Sequence, residues 1–202
     1  MKAIVELKNT TKVVTNGFNE ERVILDKVNL SIYQGDFITI LGGNGAGKST
    51  LFNVIAGTLP LTSGSVHILG EDVTNWPAEK RAKYLARVFQ DPKMGTSPRM
   101  TVAENLLIAK YRGEGRGLVP RKLSQQIEEF AQLLPRVGNG LEKHLETPAG
   151  LLSGGQRQAL SLLMASLKQP ELLLLDEHTA ALDPKTSQSL MQLTDELITT
   201  KG

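Results

Sequence analysis

The residues best suited to chemistry lie in a glycine-rich stretch, residues 42–49, which reads GGNGAGKS. This pattern fits a phosphate-binding P-loop, in which glycines let successive backbone N–H groups converge on one anion. A helix that begins there adds the positive end of its dipole. Lys48 would reach the β- and γ-phosphates of a nucleotide, and Ser49 would hold Mg²⁺. The alternative is a glycine-rich turn with a surface lysine, but the position between an apolar stretch and a helical one favours phosphate binding.

Two carboxylates follow an apolar run of four leucines at residues 172–175. The leucines would bury a strand and place Asp176 and Glu177 at its end. Asp176 would assist Mg²⁺, and Glu177 could polarise an attacking water as a general base. In isolation, the run equally fits a core strand followed by solvated acids. A P-loop in the same chain favours the catalytic interpretation.

A third stretch, residues 152–156, reads LSGGQ and opens a segment with helical spacing. Ser153 and Gln156 could simply form a capping box for a helix that buries Leu160. The two interior glycines argue against a purely structural role, because a glycine costs up to about 1 kcal/mol in a helix. Glycines at a helix N-terminus are useful where backbone N–H groups must approach an anion closely. We therefore expect an anion site at this turn.

Strands and helices must position these three motifs. The P-loop is expected to follow a strand at residues 37–41, which are almost wholly apolar and so typical of a strand covered on both faces. A helix over residues 48–56 would begin at the P-loop. Apolar and polar residues alternate at 28–32, the pattern of a half-buried strand. Further strands are predicted over residues 3–7, 65–69, 86–89 and 172–175.

The segment from about residue 101 to 167 has a helical pattern. Thr101 and Glu104 predict a capping box that opens its first helix. One helical face carries Leu123, Ile127, Phe130 and Leu134. Asp183 and the proline after it predict the start of a last helix. This order indicates an α/β fold with a mostly parallel sheet core, an antiparallel β subdomain and an inserted α-helical subdomain.

The composition excludes several other classes of protein. The net charge is +2 and aromatic residues make up 4%, which does not favour a nucleic-acid surface, so we expect no nucleic-acid partner. The chain has no cysteine, which excludes disulfides and thiolate metal sites. No apolar run approaches the ~20 residues that a membrane-spanning helix requires, and the N-terminus does not resemble a signal peptide.

Taken in order, the P-loop, the LSGGQ turn and the strand with its two acids resemble the motifs of the ATP-binding cassette (ABC) family. The similarity covers essentially the whole chain. It implies a P-loop NTPase core and an ATPase that uses ATP and Mg²⁺. The nucleotide-binding residues that it implies are Gly42, Gly43, Asn44, Gly45, Ala46, Gly47, Lys48, Ser49, Thr50, Ser153, Gly155 and Gln156.

The resemblance also assigns individual roles. Gln90 matches the Q-loop glutamine, which contacts Mg²⁺ or water and senses a transmembrane partner; considered alone, it would be an ordinary amide at a strand end. Ser153 and Gly155 match signature residues that bind the γ-phosphate of an ATP held by the opposite subunit. Asp183 matches an aspartate at the dimer interface. The implied catalytic residues are Lys48, Gln90 and Glu177, and the implied metal ligands are Ser49, Gln90 and Asp176.

Three features depart from the family pattern. The family's switch histidine would fall just beyond Gly202, so we expect a C-terminally truncated cassette that binds ATP poorly or hydrolyses it very slowly. His178 stands where many relatives carry proline, and we do not expect it to be catalytic. The residue that stacks on adenine is unclear: Phe18 is our candidate, Val14 lies near the expected place, and an ordinary loop aromatic is the alternative.

The resemblance further implies one nucleotide-binding domain over residues 1–202. Residues 1–92 and 168–202 would form the core with the β subdomain, and residues 93–167 the helical subdomain with the signature turn. Two such cassettes, expected as a homodimer, would bind two ATP molecules head to tail. The other implied partners are transmembrane permease subunits and an extracytoplasmic substrate-binding protein, which would place the chain at the cytoplasmic face of the plasma membrane.

Residues 87–92, 150–165 and 176–183 are similar to bacterial importer ATPases. We therefore expect uptake of a small solute, with an amino acid as the candidate cargo. One competing hypothesis is a cassette of the DNA-repair or chromosome type, but those proteins separate the motifs by long heptad arrays, which this chain does not show. Another is a module that binds ATP without hydrolysing it.

Overall fold

Alternating apolar residues in the N-terminal part of the chain form a four-stranded antiparallel sheet. Its strands are β1 (Val5–Thr15), β2 (Glu21–Ile32), β3 (Ser63–Ile68) and β4 (Glu71–Asp72), in the order β2-β1-β3-β4. In β2, Ile32 is buried whereas its neighbour Ser31 is exposed, so the predicted alternation is confirmed. The strands predicted at residues 3–7 and 65–69 overlap β1 and β3, although residues 3, 4 and 69 lie outside these strands.

The structure is a computed structural model that describes residues 2–15, 17, 20–115, 123–137 and 140–176. The chain divides into two units, residues 1–85 and 86–202, and each is described by itself. The predicted division into a core (1–92 and 168–202) and a helical subdomain (93–167) stays a prediction.

The helix that follows the P-loop, α1 (Lys48–Ala56), has the predicted bounds. It buries Leu51, Val54 and Ile55 in the first unit, as expected for a helix with one apolar face. Gly57 ends the helix with φ = 78°, a left-handed conformation that glycine adopts without steric cost. A short helix, α2 (Ala78–Arg81), completes the regular structure of this unit.

Residues 37–41 differ from the prediction of a buried strand. They have no regular secondary structure, and the side chains of Phe37 and Leu41 are 70% and 87% exposed. A strand is stabilised by hydrogen bonds to a neighbouring strand, and within the described ranges residues 37–41 pair with none. The prediction of a buried strand from the apolar composition was therefore wrong for the described structure, because composition does not reveal whether a partner strand lies beside the segment.

The second unit contains a two-stranded parallel sheet, formed by β5 (Leu85–Val88) and β6 (Leu172–Leu175). Its helices are α3 (Val102–Lys110), α4 (Ile127–Leu133) and α5 (Gly154–Ser166). Single turns of 3-10 helix occur at Leu123–Gln125, Leu134–Val137, Leu141–Lys143 and Ala149–Leu151. The antiparallel sheet, the parallel pair and the helices together confirm the predicted α/β fold class.

One apolar core holds the second unit together. It includes Val88 of β5, Leu106 of α3, Phe130 of α4 and Leu160 of α5, all fully buried. The predicted capping box of Thr101 and Glu104 is present at the start of α3. None of the helices in the described ranges is long and apolar enough to cross a membrane.

The apolar face predicted from residue 123 to 134 is divided between elements. Leu123 lies in a 3-10 turn, α4 carries Phe130, and Leu134 begins a second 3-10 turn. Phe130 and Leu134 are fully buried, as the spacing predicts. Helical spacing indicates which side chains share a face, and 3-10 and α turns place residues three or four apart on nearly the same side.

Candidate functional site

The P-loop forms an exposed turn at the start of α1. Residues 42–46 are exposed, Gly47 is the N-cap of α1, and Lys48 is its first residue. Gly47 has φ = 89°, and a Cβ there would lie 3.0 Å from the carbonyl oxygen of Ile24. This position therefore requires glycine for both conformation and space. The first turn of α1 carries neither a side-chain cap nor an acidic residue, so its N–H groups and dipole favour an anion.

The side chain of Lys48 folds back over this turn. Its Nζ atom donates hydrogen bonds to the carbonyl oxygens of Gly42, at 2.5 Å, and Gly43, at 3.1 Å. The ammonium group thus lies against the loop that carries the candidate phosphate-binding N–H groups. A positive charge and a helix N-terminus concentrated in one loop are suited to a polyphosphate.

A buried arginine supports the opposite end of α1. Arg81 donates from Nη1 to the carbonyl oxygens of Val54 (2.8 Å) and Ile55 (3.0 Å), which belong to the last turn of α1. It also donates to the carbonyl oxygens of Thr74 and Trp76. Burial lowers the pKa of the Arg81 guanidinium, but arginine stays protonated at any physiological pH. Because its partners are distant in the chain, this residue could not be identified from local sequence patterns.

The LSGGQ turn opens α5 and forms the predicted capping box, whereas its role as an anion site stays a prediction. The hydroxyl of Ser153 accepts from the backbone N–H of Gln156 at 3.2 Å, and the Gln156 side-chain oxygen accepts from the Ser153 N–H at 3.1 Å. The capping box is therefore present. Gly154 and Gly155 occupy the first two helical positions, whose N–H groups have no acceptor within the helix. A Cβ at Gly154 would meet nothing within 4 Å, so the turn is open to an approaching anion.

Asp176 lies at the end of β6, as predicted, and is held by β5. Its backbone N–H donates to the carbonyl oxygen of Val88 at 3.1 Å. Its carboxylate forms an ion pair with Arg87, with 3.0 Å between Oδ2 and Nη2. The two side chains are only 13% and 12% exposed. Arg87 was not identified from the sequence; its place one residue before the end of a parallel neighbour strand would have been the available signal.

Gln90 follows β5 and is exposed. The residue before it, Phe89, accepts a hydrogen bond from the side-chain amide of Gln158 at 3.3 Å. Gln158 belongs to α5 and is 1% exposed. The helix that begins at the LSGGQ turn is therefore linked by a hydrogen bond to the backbone beside Gln90. Gln158 was not identified from the sequence either.

The proposed metal ligands are hard oxygen donors: the hydroxyl of Ser49, the amide of Gln90 and the carboxylate of Asp176. This donor set suits Mg²⁺, which is bound through few protein oxygens together with substrate phosphates. The described part of the chain contains no cluster of three or more histidine, cysteine or acidic residues that could hold a metal alone.

Four residues named in the sequence analysis lie outside the described residues. They are Phe18, Glu177, His178 and Asp183. Their roles stay predictions. Thr50, which the resemblance adds to the nucleotide-binding set, is half-buried in the first turn of α1.

Comparison with known proteins gives a consistent result. A family model described as "ABC transporter" matches residues 25–180. The chain is 42% identical to a tyrosine transport ATP-binding protein of Clostridioides difficile, over 98% of the chain and 79% of the relative. It is 36% identical to a phosphonates import ATP-binding protein of Rhodopseudomonas palustris, over 96% of the chain and 70% of the relative.

A solved structure has the same fold. It is a dimeric ATP-binding cassette in a post-hydrolysis state, bound to ADP and Pi, with a TM-score of 0.81 and 29% identity. The alignment covers 98% of this chain and 84% of that one. The predicted P-loop NTPase fold is thereby confirmed. With its phosphate loop, LSGGQ turn and strand-end aspartate in the family's order, the chain belongs to the ABC transporter family and is an ATP-binding, ATP-hydrolysing cassette.

Proposed function

We propose that this cassette powers the uptake of a small solute through a separate transmembrane permease, by binding ATP between two copies of itself. The observation that carries the proposal is the pair of helix starts that have exposed glycines: Gly43 and Gly45 lie in the loop before α1, and Gly154 lies in the first turn of α5. The start of α1 presents Lys48 and uncapped N–H groups, and the start of α5 presents Gly154 beside open space. Each is suited to approach a phosphate from one side.

In this proposal the P-loop and Lys48 bind the β- and γ-phosphates of ATP. Ser49, Gln90 and Asp176 hold Mg²⁺, which supplies positive charge to the phosphates when bound. Ser153, Gly155 and Gln156 of a second copy bind the γ-phosphate from the other side. Closure of the dimer excludes water and strengthens the electrostatic stabilisation of the transferring phosphoryl group.

Glu177 is the proposed general base. It would accept a proton from the water that attacks the γ-phosphorus, while the bond to the ADP oxygen breaks. After hydrolysis, the LSGGQ turn of each copy loses its contact with the γ-phosphate bound by the other copy, and the dimer separates. Phe18 is the proposed stacking partner of adenine, and Asp183 is a proposed interface residue.

The test is ATP-driven dimerisation of the full chain. Glu177→Gln retains shape and removes the basic carboxylate, so the variant should bind ATP without hydrolysing it and sediment as a dimer. The same variant without nucleotide should sediment as a monomer. A second substitution, Ser153→Ala, should weaken the ATP-dependent dimer if the LSGGQ turn binds the γ-phosphate of the ATP held by the other copy. A Glu177→Gln variant that stays monomeric at saturating Mg-ATP would contradict the proposal.

The cargo is proposed from similarity alone. The 42% identity to a tyrosine transport ATP-binding protein supports an amino acid, with aromatic amino acids as the first candidates. The proposed partners are a permease and an extracytoplasmic substrate-binding protein, and the proposed place is the cytoplasmic face of the plasma membrane. Uptake of labelled tyrosine and of a labelled phosphonate should be compared in cells with and without the cassette. Loss of phosphonate uptake alone would refute the amino-acid assignment.

A further inference from the structure

The strand-end aspartate is already engaged by a cation of the protein itself. Arg87 on β5 and Asp176 after β6 form an ion pair with a 3.0 Å separation, and about seven-eighths of each side chain is shielded from water. The two strands are parallel neighbours, so both groups lie at the same end of the pair. Arg87 therefore faces the carboxylate that the proposed function assigns to magnesium.

The surroundings hold this pair in place. The guanidinium of Arg87 lies over the ring of Phe89, 4.5 Å from its centroid. The backbone of Asp176 is fixed to Val88 by the hydrogen bond described above. The flanking residues Ala86 and Val88 are buried. Charges in such an environment are screened less than charges in water, so the pair interacts strongly and a second cation nearby is disfavoured.

We propose that Arg87 is a positioning residue that competes with magnesium for Asp176 and so sets how much free Mg²⁺ the cassette needs to bind nucleotide. The inference rests on the proposed function, in which Asp176 assists the metal. Without Mg²⁺, Arg87 neutralises the shielded carboxylate and fixes its orientation. When Mg²⁺ enters with ATP, the carboxylate is shared or released by Arg87, and the guanidinium repels the incoming dication.

An ion pair that only joins β5 to β6 is the alternative. Both roles predict that loss of Arg87 destabilises the fold, because a shielded carboxylate is left without its partner. Only the competition also predicts that the same variant needs less free Mg²⁺ to bind nucleotide. The metal dependence of nucleotide binding therefore separates the two roles.

The experiment measures binding of a fluorescent ATP analogue to the full chain, in EDTA and over a series of free Mg²⁺ concentrations. The readout is the free Mg²⁺ that gives half of the magnesium-dependent increase in affinity. Arg87→Met keeps an unbranched aliphatic side chain and removes the charge, and it should lower this concentration roughly three- to tenfold. Arg87→Lys keeps the charge and should remain within about twofold of the parent.

A double-mutant cycle assigns the effect to this pair. In the Asp176→Asn background, the Arg87→Met substitution should change the Mg²⁺ requirement much less, because the competed carboxylate is absent and only the repulsion between the guanidinium and Mg²⁺ is removed. If Arg87→Met does not fold, Arg87→Gln, which retains a hydrogen-bond donor, takes its place in the same comparison.

Two results would overturn the inference. One is an Arg87→Met variant whose Mg²⁺ requirement is unchanged or higher. The other is a shift of the same size in the Asp176→Asn background. If the proposed function itself is wrong, the unmodified chain will bind no ATP analogue with or without Mg²⁺. The inference rests on that function and would then be wrong too.

Discussion

The helices α1 and α5 begin at the two candidate phosphate sites, but they satisfy their N-termini differently. At α1, Gly47 caps the helix without any side chain, and Lys48 donates to carbonyl oxygens of its own loop. At α5, Ser153 and Gln156 exchange two hydrogen bonds in a capping box. The start of α5 is therefore stabilised by the chain itself, whereas the start of α1 retains N–H groups and a positive charge for a ligand.

This difference fits the separate tasks proposed for the two turns. A loop that must bind ATP first benefits from donors that no side chain occupies. A turn that meets a phosphate only when a second copy arrives has to stay folded in the meantime. The far ends are alike, since an arginine donates to carbonyl oxygens at each. Arg81 is buried at the end of α1, and Arg112 is half-buried at the end of α5, where it donates to the carbonyl oxygens of Ala165 and Lys168.

The largest expected effect comes from removing the charge at the start of α1. Lys48→Ala should reduce ATPase activity about a hundredfold or more, because the developing charge on the γ-phosphate loses its charged donor. Turnover at saturating Mg-ATP measures this. Lys143→Ala, an exposed lysine on a 3-10 turn, is the control and should behave as the parent. Equal activities in the two variants would remove the phosphate role from Lys48.

The next largest effect is expected when the arginine at the end of α1 or of α5, Arg81 or Arg112, is replaced. Arg81→Met should lower the free energy of unfolding by about 2–3 kcal/mol, because four carbonyl oxygens, two of them buried and two partly buried, lose their donor. Arg112→Met should cost less, about 1 kcal/mol, because two of its three contacts are long, at 3.4 and 3.5 Å. Burial lowers the pKa of both guanidinium groups. Urea unfolding measures the loss of free energy of unfolding in each variant. A larger loss for Arg112→Met than for Arg81→Met would contradict this ranking.

The capping box of α5 permits a matched test against α3. Ser153→Ala and Thr101→Ala each remove an N-cap hydroxyl that accepts at 3.2 Å, so each should cost about 1 kcal/mol of stability. Only Ser153→Ala should also lower ATPase activity, by about tenfold, since Thr101 lies outside the signature turn. Similar losses of activity in both variants would mean that the effect comes from stability alone.

The smallest change in stability is expected for a substitution of Gly154 in the LSGGQ turn. Gly154→Ala should raise the free energy of unfolding by about 0.5 kcal/mol, because alanine is favoured in a helix and its Cβ meets nothing within 4 Å. ATP-dependent dimerisation should weaken nevertheless, since the methyl group obstructs the approach of a phosphate to the N–H groups. Gly57→Ala is the contrast: its φ is 78° and its Cβ would lie 2.7 Å from Nε of Arg81, so it should be destabilising. Chemical denaturation together with sedimentation distinguishes the two positions.

Sequence alone determined the features that depend on residues close together in the chain. The bounds of α1 (Lys48–Ala56) and β6 (Leu172–Leu175), and both capping boxes, follow from spacing over a few positions. The order of the three motifs was sufficient to identify the family, since each motif is a short local pattern. The candidate residues Lys48, Ser153 and Asp176 were found in the same way.

Tertiary structure decided the contacts between distant segments. The ion pair of Arg87 with Asp176 and the bond from Gln158 to Phe89 require a particular register between elements far apart in sequence. The exposure of residues 37–41 is the converse case: their composition predicted burial, but a strand is formed only where another strand offers hydrogen bonds. Local propensity depends on a few neighbouring residues, whereas pairing depends on where the rest of the chain is placed.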